Sequence, residues 1–184
     1  MARLHNNRRG LSQVVTTLIL LVVAVLLAGV VTYYATNITM TRTEQEEVKV
    51  NKHHIWVNST GAVAAFRVEN LGGRDVLVDK ISVRGVEVPW SRVYYYRVPS
   101  GTSISGSMNV TSAAKLTGGS VTIDGRSYTQ ASDDLPLASS GEILFYVKDP
   151  DNISLDDVGT TCAITVFTIN GQYIVECNVE SATR

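Results

Sequence analysis

The chain has little of what most functional classes need. Its two cysteines are too few for a disulfide scaffold, and without a CxxC pair they give no zinc-site spacing. Four prolines and 14 glycines in 184 residues exclude a collagenous or low-complexity chain. Sixteen basic against 17 acidic residues leave a net charge of −1, so no basic surface calls for nucleic acid. Three histidines are few for general-base chemistry. No GxSxG, HExxH, Walker-type or GxGxxG motif occurs, so no catalytic residue, cofactor or metal is expected. The length suits one substantial core. The decisive absence is local: no charged side chain stands between Arg9 and Arg42.

That uncharged segment is almost wholly Leu, Val, Ile and Ala from Leu18 to Val31. Leu11 to Tyr34 makes about 36 Å of helix, enough to cross a hydrocarbon core of about 30 Å. Apolar residues cover every face, so the helix belongs in lipid or among other helices. Tyr33 and Tyr34 stand at its far end, where aromatic rings favour a membrane interface. Arg3, Arg8 and Arg9 precede it without an acidic residue, which keeps the N-terminus cytoplasmic and sends the remainder outward. The following tract, Ala35 to Val50, is polar but contains no Gly or Pro. The helix is therefore expected to run over 11–50, about 60 Å, half apolar and half projecting. Gly29 permits either close helix approach or local unwinding.

An ordinary signal peptide carries its cleavage site after the apolar run, and no clear Ala-x-Ala site occurs there. The notable junction lies before the run, at Arg8-Arg9-Gly10 followed by Leu11-Ser12. It resembles the class III signal of type IV pilins and archaellins, particularly the archaeal ones. The resemblance implies that a membrane prepilin peptidase removes residues 1–10 by cutting between Gly10 and Leu11. It also implies that the retained helix forms a filament core through Leu11, Val14, Val15, Leu18, Leu21, Val22, Val25, Leu26 and Gly29. Val15 stands where bacterial pilins carry a glutamate, a departure shared by many archaeal relatives.

Residues 51–184 read as an all-β head, with short alternating runs separated by turn residues. Strands are expected at 55–57, 62–68, 76–78, 81–83, 93–98, 107–110, 120–123, 126–129 and 143–147. A terminal hairpin joins 162–169 to 172–179 through a two-residue Asn170-Gly171 turn. The runs Val68-Glu69-Asn70-Leu71-Gly72-Gly73 and Ser140-Gly141-Glu142 also resemble archaeal pilin and archaellin heads, implying an immunoglobulin-like β-sandwich. The expected fold class is thus α+β, a long apolar helix followed by that head.

Smaller features are weaker. His53 and His54 fall on opposite strand faces and cannot chelate together. Asp149, Asp151, Asp156 and Asp157 read as a solvated turn, and Glu44, Glu46 and Glu47 as a solvated helical face. Tyr94-Tyr95-Tyr96 reads as core and rim packing. In the two-residue register Cys162 and Cys177 are diagonal neighbours. A two-residue shift sets them opposite, and an oxidising exterior favours a disulfide. Sequons at Asn37, Asn58, Asn109 and Asn152 suit an exported, glycosylated surface.

The expected function is a structural subunit of an extracellular archaeal type IV pilus used for adhesion. Its partners are further copies in a helical homopolymer, the prepilin peptidase, the assembly machinery and, before assembly, the membrane. The alternatives are an archaellin of a swimming filament and a membrane-anchored binding domain that never polymerises.

Overall fold

A computed structural model describes residues 8–44 and 46–182. The chain divides into two compact units at Thr43/Glu44. The first is a single helix, α1 (Arg8–Glu44), 37 residues long. Five of its threonines return their hydroxyls to carbonyls on the preceding turn, Thr32 to Ala28 at 2.8 Å and Thr36 to Thr32 at 2.8 Å among them. These hydroxyls need no water, so a helix carrying them remains compatible with an apolar setting.

The helix stops short of the expected Val50. Val48 and Val50 alternate with Lys49 and are buried within a strand that begins at Val48. Glu46, expected on a solvated helical face, accepts hydrogen bonds from Thr168, from Asn170 at 3.0 Å and from Tyr173 at 3.3 Å. Nothing local in the sequence ends the helix there; packing within the head does.

Eleven strands build the head: β1 (Val48–Asn58), β2 (Gly61–Asn70), β3 (Val76–Val83), β4 (Val86–Val88), β5 (Val93–Arg97), β6 (Ser120–Ile123), β7 (Arg126–Gln130), β8 (Leu135–Leu137), β9 (Glu142–Lys148), β10 (Thr161–Thr168) and β11 (Gln172–Ser181). One layer runs β1-β2-β9-β5 and extends through β7 and β6; the other runs β4-β3-β10-β11, with β8 also on β3. Reading β1, β2, β9 and β5 as A, B, E and D, and β3, β10 and β11 as C, F and G, reproduces the immunoglobulin arrangement. The β6–β7 hairpin and β8 are inserted between D and E. A parallel pairing of β1 with β11, Ile55 opposite Val179, links the layers.

Between the layers lies the main core. Ile55, Phe66, Val68, Phe145 and Val147 face Val78, Ile81, Val83, Ile164 and Val166, with Phe66 and Phe145 stacked at 5.2 Å. The outer face of the first layer is covered as well. Trp56, Val63, Ala65, Leu144 and Tyr146 pack beneath Met108, Leu116, Val121, Ile123 and Tyr128. Strands β2 and β9 are consequently buried on both faces, which is why 62–66 and 143–147 read as unbroken apolar runs rather than as alternation.

Several expectations about strands change: 76–78 and 81–83 form one continuous strand, β3, and β4 and β8 stand where no strand is expected. Residues 107–110 form no strand; they belong to an irregular segment whose Met108 is buried in that second cluster. The terminal hairpin closes through four residues, not two: Phe167 pairs with Gln172, and Thr168 N–H donates to Gly171 O at 2.8 Å. Thr168 also pairs with Val78 on β3, and this third strand helps settle the register.

Candidate assembly helix and polar sites of the head

Every residue expected to form a filament core lies on α1 with its side chain uncovered. Leu11, Val14, Val15, Leu18, Leu21, Val22, Val25 and Leu26 are all exposed. Gly29 has open space where a Cβ would stand. Gly10–Met40, 31 residues, is the one helix among those described that is long and apolar enough to cross a membrane, and 0% of its most apolar window is buried. Exposure of this extent on all faces is untenable in water and marks a surface that lipid or protein covers.

The proposed cleavage bond, Gly10–Leu11, lies on α1 (Arg8–Glu44), close to the first described residue. The remainder of the expected leader, residues 1–7, lies outside the described residues. Gly10 is exposed with nothing within 4 Å of an added Cβ, so no packing among the described residues demands glycine there.

The cysteines are corrected in two respects. The shifted register sets Cys162 directly opposite Cys177 rather than diagonal to it. The expected disulfide, however, is not formed; both residues are free thiols. Cys162 is buried, and burial, followed by the neighbouring Cys162 sulfur, pushes the Cys177 thiol up to about 11. Exchange requires thiolate, so such a thiol reacts slowly at neutral pH.

The sequons differ in access. Asn37 on α1, and Asn109 and Asn152 on loops of the head, are exposed. Asn58 is half-buried, and its side-chain oxygen accepts from Thr60 N–H at 2.9 Å and Thr60 Oγ1 at 2.6 Å.

Polar clusters elsewhere in the head have architectural partners. Asp157 caps the 3-10 turn Leu155–Asp157 through Ser154 and pairs with Arg84 at 2.8 Å. The Ser154 backbone N–H, then Arg84, holds its carboxyl below the ordinary range. Asp151 pairs with Arg92 at 2.8 Å. Asp149 leaves no space beside Gly61, where a Cβ would meet Asp149 Oδ1 at 1.9 Å and φ is +133°. Arg67 lies 2.9 Å from Glu69 and 2.8 Å from Glu142; the second contact is electrostatic, without hydrogen-bond alignment. Burial lifts Glu142 above the ordinary carboxylate range against the opposing pull of Arg67. Tyr94 is buried and its hydroxyl donates to Gly118 O at 3.0 Å, while Tyr95 and Tyr96 are half-buried, as the core-and-rim reading expects.

The surroundings of His54, like those of Glu46, are indicated by no sequence pattern. It hydrogen-bonds Ser107 and faces Glu180, residues 53 and 126 positions away in the chain. Comparison with protein-family models and with characterised proteins finds no match for this chain.

Proposed function

We propose that the chain is a structural subunit of an extracellular filament of the archaeal type IV pilus kind, polymerising through α1 and serving adhesion or surface attachment. The observation that carries the reading is the 31-residue apolar helix with no part of its most apolar window covered by its own chain. Packed against copies of itself outside the bilayer, each Leu or Val of that helix is worth on the order of 1 kcal/mol relative to exposure in water, roughly half of full burial, which keeps subunits from dissociating into solution. Repeated over many side chains and many subunits, this is ample for a stable polymer. The Arg8-Arg9-Gly10 junction ahead of the helix supports removal of a leader by a prepilin peptidase, with α1 holding the subunit in the membrane until assembly. The immunoglobulin-type head supports an exterior role, and exposed Asn37, Asn109 and Asn152 support glycan attachment there.

The same helix length also suits a permanent anchor for a head that never polymerises. One experiment separates these readings. Surface material is sheared from producing cells, examined by electron microscopy, and its protein sequenced from the N-terminus. Filaments built of a chain starting at Leu11 are expected. Protein found only in membranes, with residues 1–10 retained, refutes the filament reading. Scoring a deletion strain for attachment and for swimming then separates pilus from archaellin.

A further inference from the structure

We propose that Ser107, His54 and Glu180 form a nucleophile–base–carboxylate triad on the head, able to hydrolyse small, unhindered acyl esters. The proposal is independent of whether the chain polymerises. His54 Nε2 lies 2.7 Å from Ser107 Oγ, and His54 Nδ1 faces Glu180 Oε1 at 3.8 Å. With the proton on Nδ1, the ring accepts from the serine hydroxyl and presents its N–H to the carboxylate, the division of roles that activates a serine. At 3.8 Å this second contact is electrostatic rather than a hydrogen bond, and the Glu180 side chain is exposed. Catalytic contacts of this sort are commonly loose before substrate binds.

The surroundings hold these groups in place. His54 and Trp56 are two apart on β1 and therefore share a face. Their rings stack at 5.2 Å with 7° between planes, which fixes the imidazole orientation. Trp56 Nε1 donates to Glu180 Oε2 at 3.2 Å, and the strand register places Glu180 directly beside Trp56. Lys52, at the bulge of β1 with φ +50°, donates its ammonium to the carbonyls of Ile104 and Gly106. That clamp fixes the segment immediately before Ser107. Among the described residues no intrachain acceptor takes the backbone N–H of Met108, the residue following the serine. An N–H in this position is a suitable donor for a developing oxyanion.

In the reaction, Ser107 Oγ bonds to the acyl carbon as its proton passes to His54 Nε2. The alkoxide leaves with that proton as a free alcohol. Water, reaching the exposed site, then attacks the acyl-serine while His54 takes its proton. The carboxylic acid departs, and the proton returns to Ser107. Ser107 is exposed, so specificity for a long acyl chain is not expected.

The test is labelling of the full-length protein with a fluorophosphonate probe, with the modified residue located by tandem mass spectrometry. The expected result is a single adduct on Ser107, absent in Ser107→Ala and formed about a hundredfold more slowly in His54→Gln. Glu180→Gln slows labelling by about tenfold, and Glu180→Asp restores it, a rescue that a role in folding alone does not produce. Thermal melts of each variant confirm that the head remains folded. Absence of a Ser107 adduct in the wild-type protein overturns the proposal without recourse to any variant. So does a His54→Gln protein labelled at the wild-type rate, because the contact then only ties the loop to β1.

Discussion

Replacing Asn70 tests how the head is held together at the end nearest β1's start. Asn70 is fully buried, and its side-chain nitrogen donates to Arg74 O at 2.7 Å, with Ala138 O at 3.2 Å and Leu137 O at 3.3 Å also in range. Its side-chain oxygen accepts from Gly72 N–H at 3.0 Å. Truncation to Ala does not orphan all of these groups. Gly72 N–H also donates to Glu47 O at 3.1 Å, and Ala138 O also accepts from Gly141 N–H at 2.8 Å. The cost therefore falls chiefly on Arg74 O, with a smaller share from the weaker contact to Leu137 O, a carbonyl of the β3–β8 ladder. At about 1 kcal/mol for each lost bond, and somewhat more where a carbonyl is left dry, Asn70→Ala is expected to cost about 2–3 kcal/mol. Asn70→Asp has nearly the same shape yet can only accept, so its carboxylate faces carbonyls and costs more than the Ala change at neutral pH. That site raises the pKa of the new carboxyl above its unfolded value. Its penalty is then full above the folded pKa and shrinks as pH falls toward the unfolded one. Urea unfolding of a fragment beginning at Glu46, followed by tyrosine and tryptophan fluorescence, measures both effects. A loss below about 0.5 kcal/mol for Ala, within the range of an ordinary surface change, refutes the reasoning. So does an Asp variant equal to Ala at pH 7.

Other expectations follow from the same geometry. A head fragment beginning at Asn51 lacks buried Val48 and Val50 and the bond from Leu71 N–H to Glu47 O, so its urea midpoint falls by the equivalent of about 4 kcal/mol relative to one beginning at Glu46. Equal midpoints refute that boundary. Val23→Asp places a charge in the apolar helix at a cost of about 3 kcal/mol at the centre of a membrane or several in a protein core. It should abolish sedimentable filaments, whereas Ile174→Asp on the exposed face of β11 should not. In denatured, unreduced protein both Cys162 and Cys177 should take up an alkylating reagent; protection until reductant is added indicates a bridge. Asp157, with its carboxyl pKa held low, contributes stability above the ordinary value of 3.8 that is lost as pH falls through its folded pKa. Asp157→Asn should flatten this acid limb of a stability–pH curve measured by thermal melts.

The apolar helix was legible because 31 residues of one character need no tertiary information. Most strands were legible through alternation and their turns: Asp124-Gly125 and Arg84-Gly85 have positive φ at both residues and close two-residue hairpins. What could not be read was pairing at a distance. Val48 and Val50 follow a stretch with no helix breaker, and only their partners Asn70 and Val68 make them strand residues. The Asn-Gly turn signal was overruled by Thr168, held by β3 and by its own hydroxyl, which accepts from Gly171 N–H at 3.0 Å. The strand expected at 107–110 failed because Met108 serves as a lid over β9 and β2 rather than as part of a ladder. The Ser107–His54–Glu180 grouping is invisible to motif reading, since three loop and strand positions meet only after the sheet has formed.

The parallel pairing of β1 with β11 also imposes an order in time. Ile55 and Val179 are neighbours in space but 124 positions apart along the chain. A ribosome therefore delivers the helix and β1 long before the strand that completes the fold. Closing so long a loop is slow, and contacts of high sequence separation form late. Until β11 has been made, the edge of β1 that it covers remains unpaired and the core beneath is open. The nascent head thus stays unfinished while all but its last described strand have already been made. Completion of the fold is then timed by the arrival of the last described strand rather than by the first.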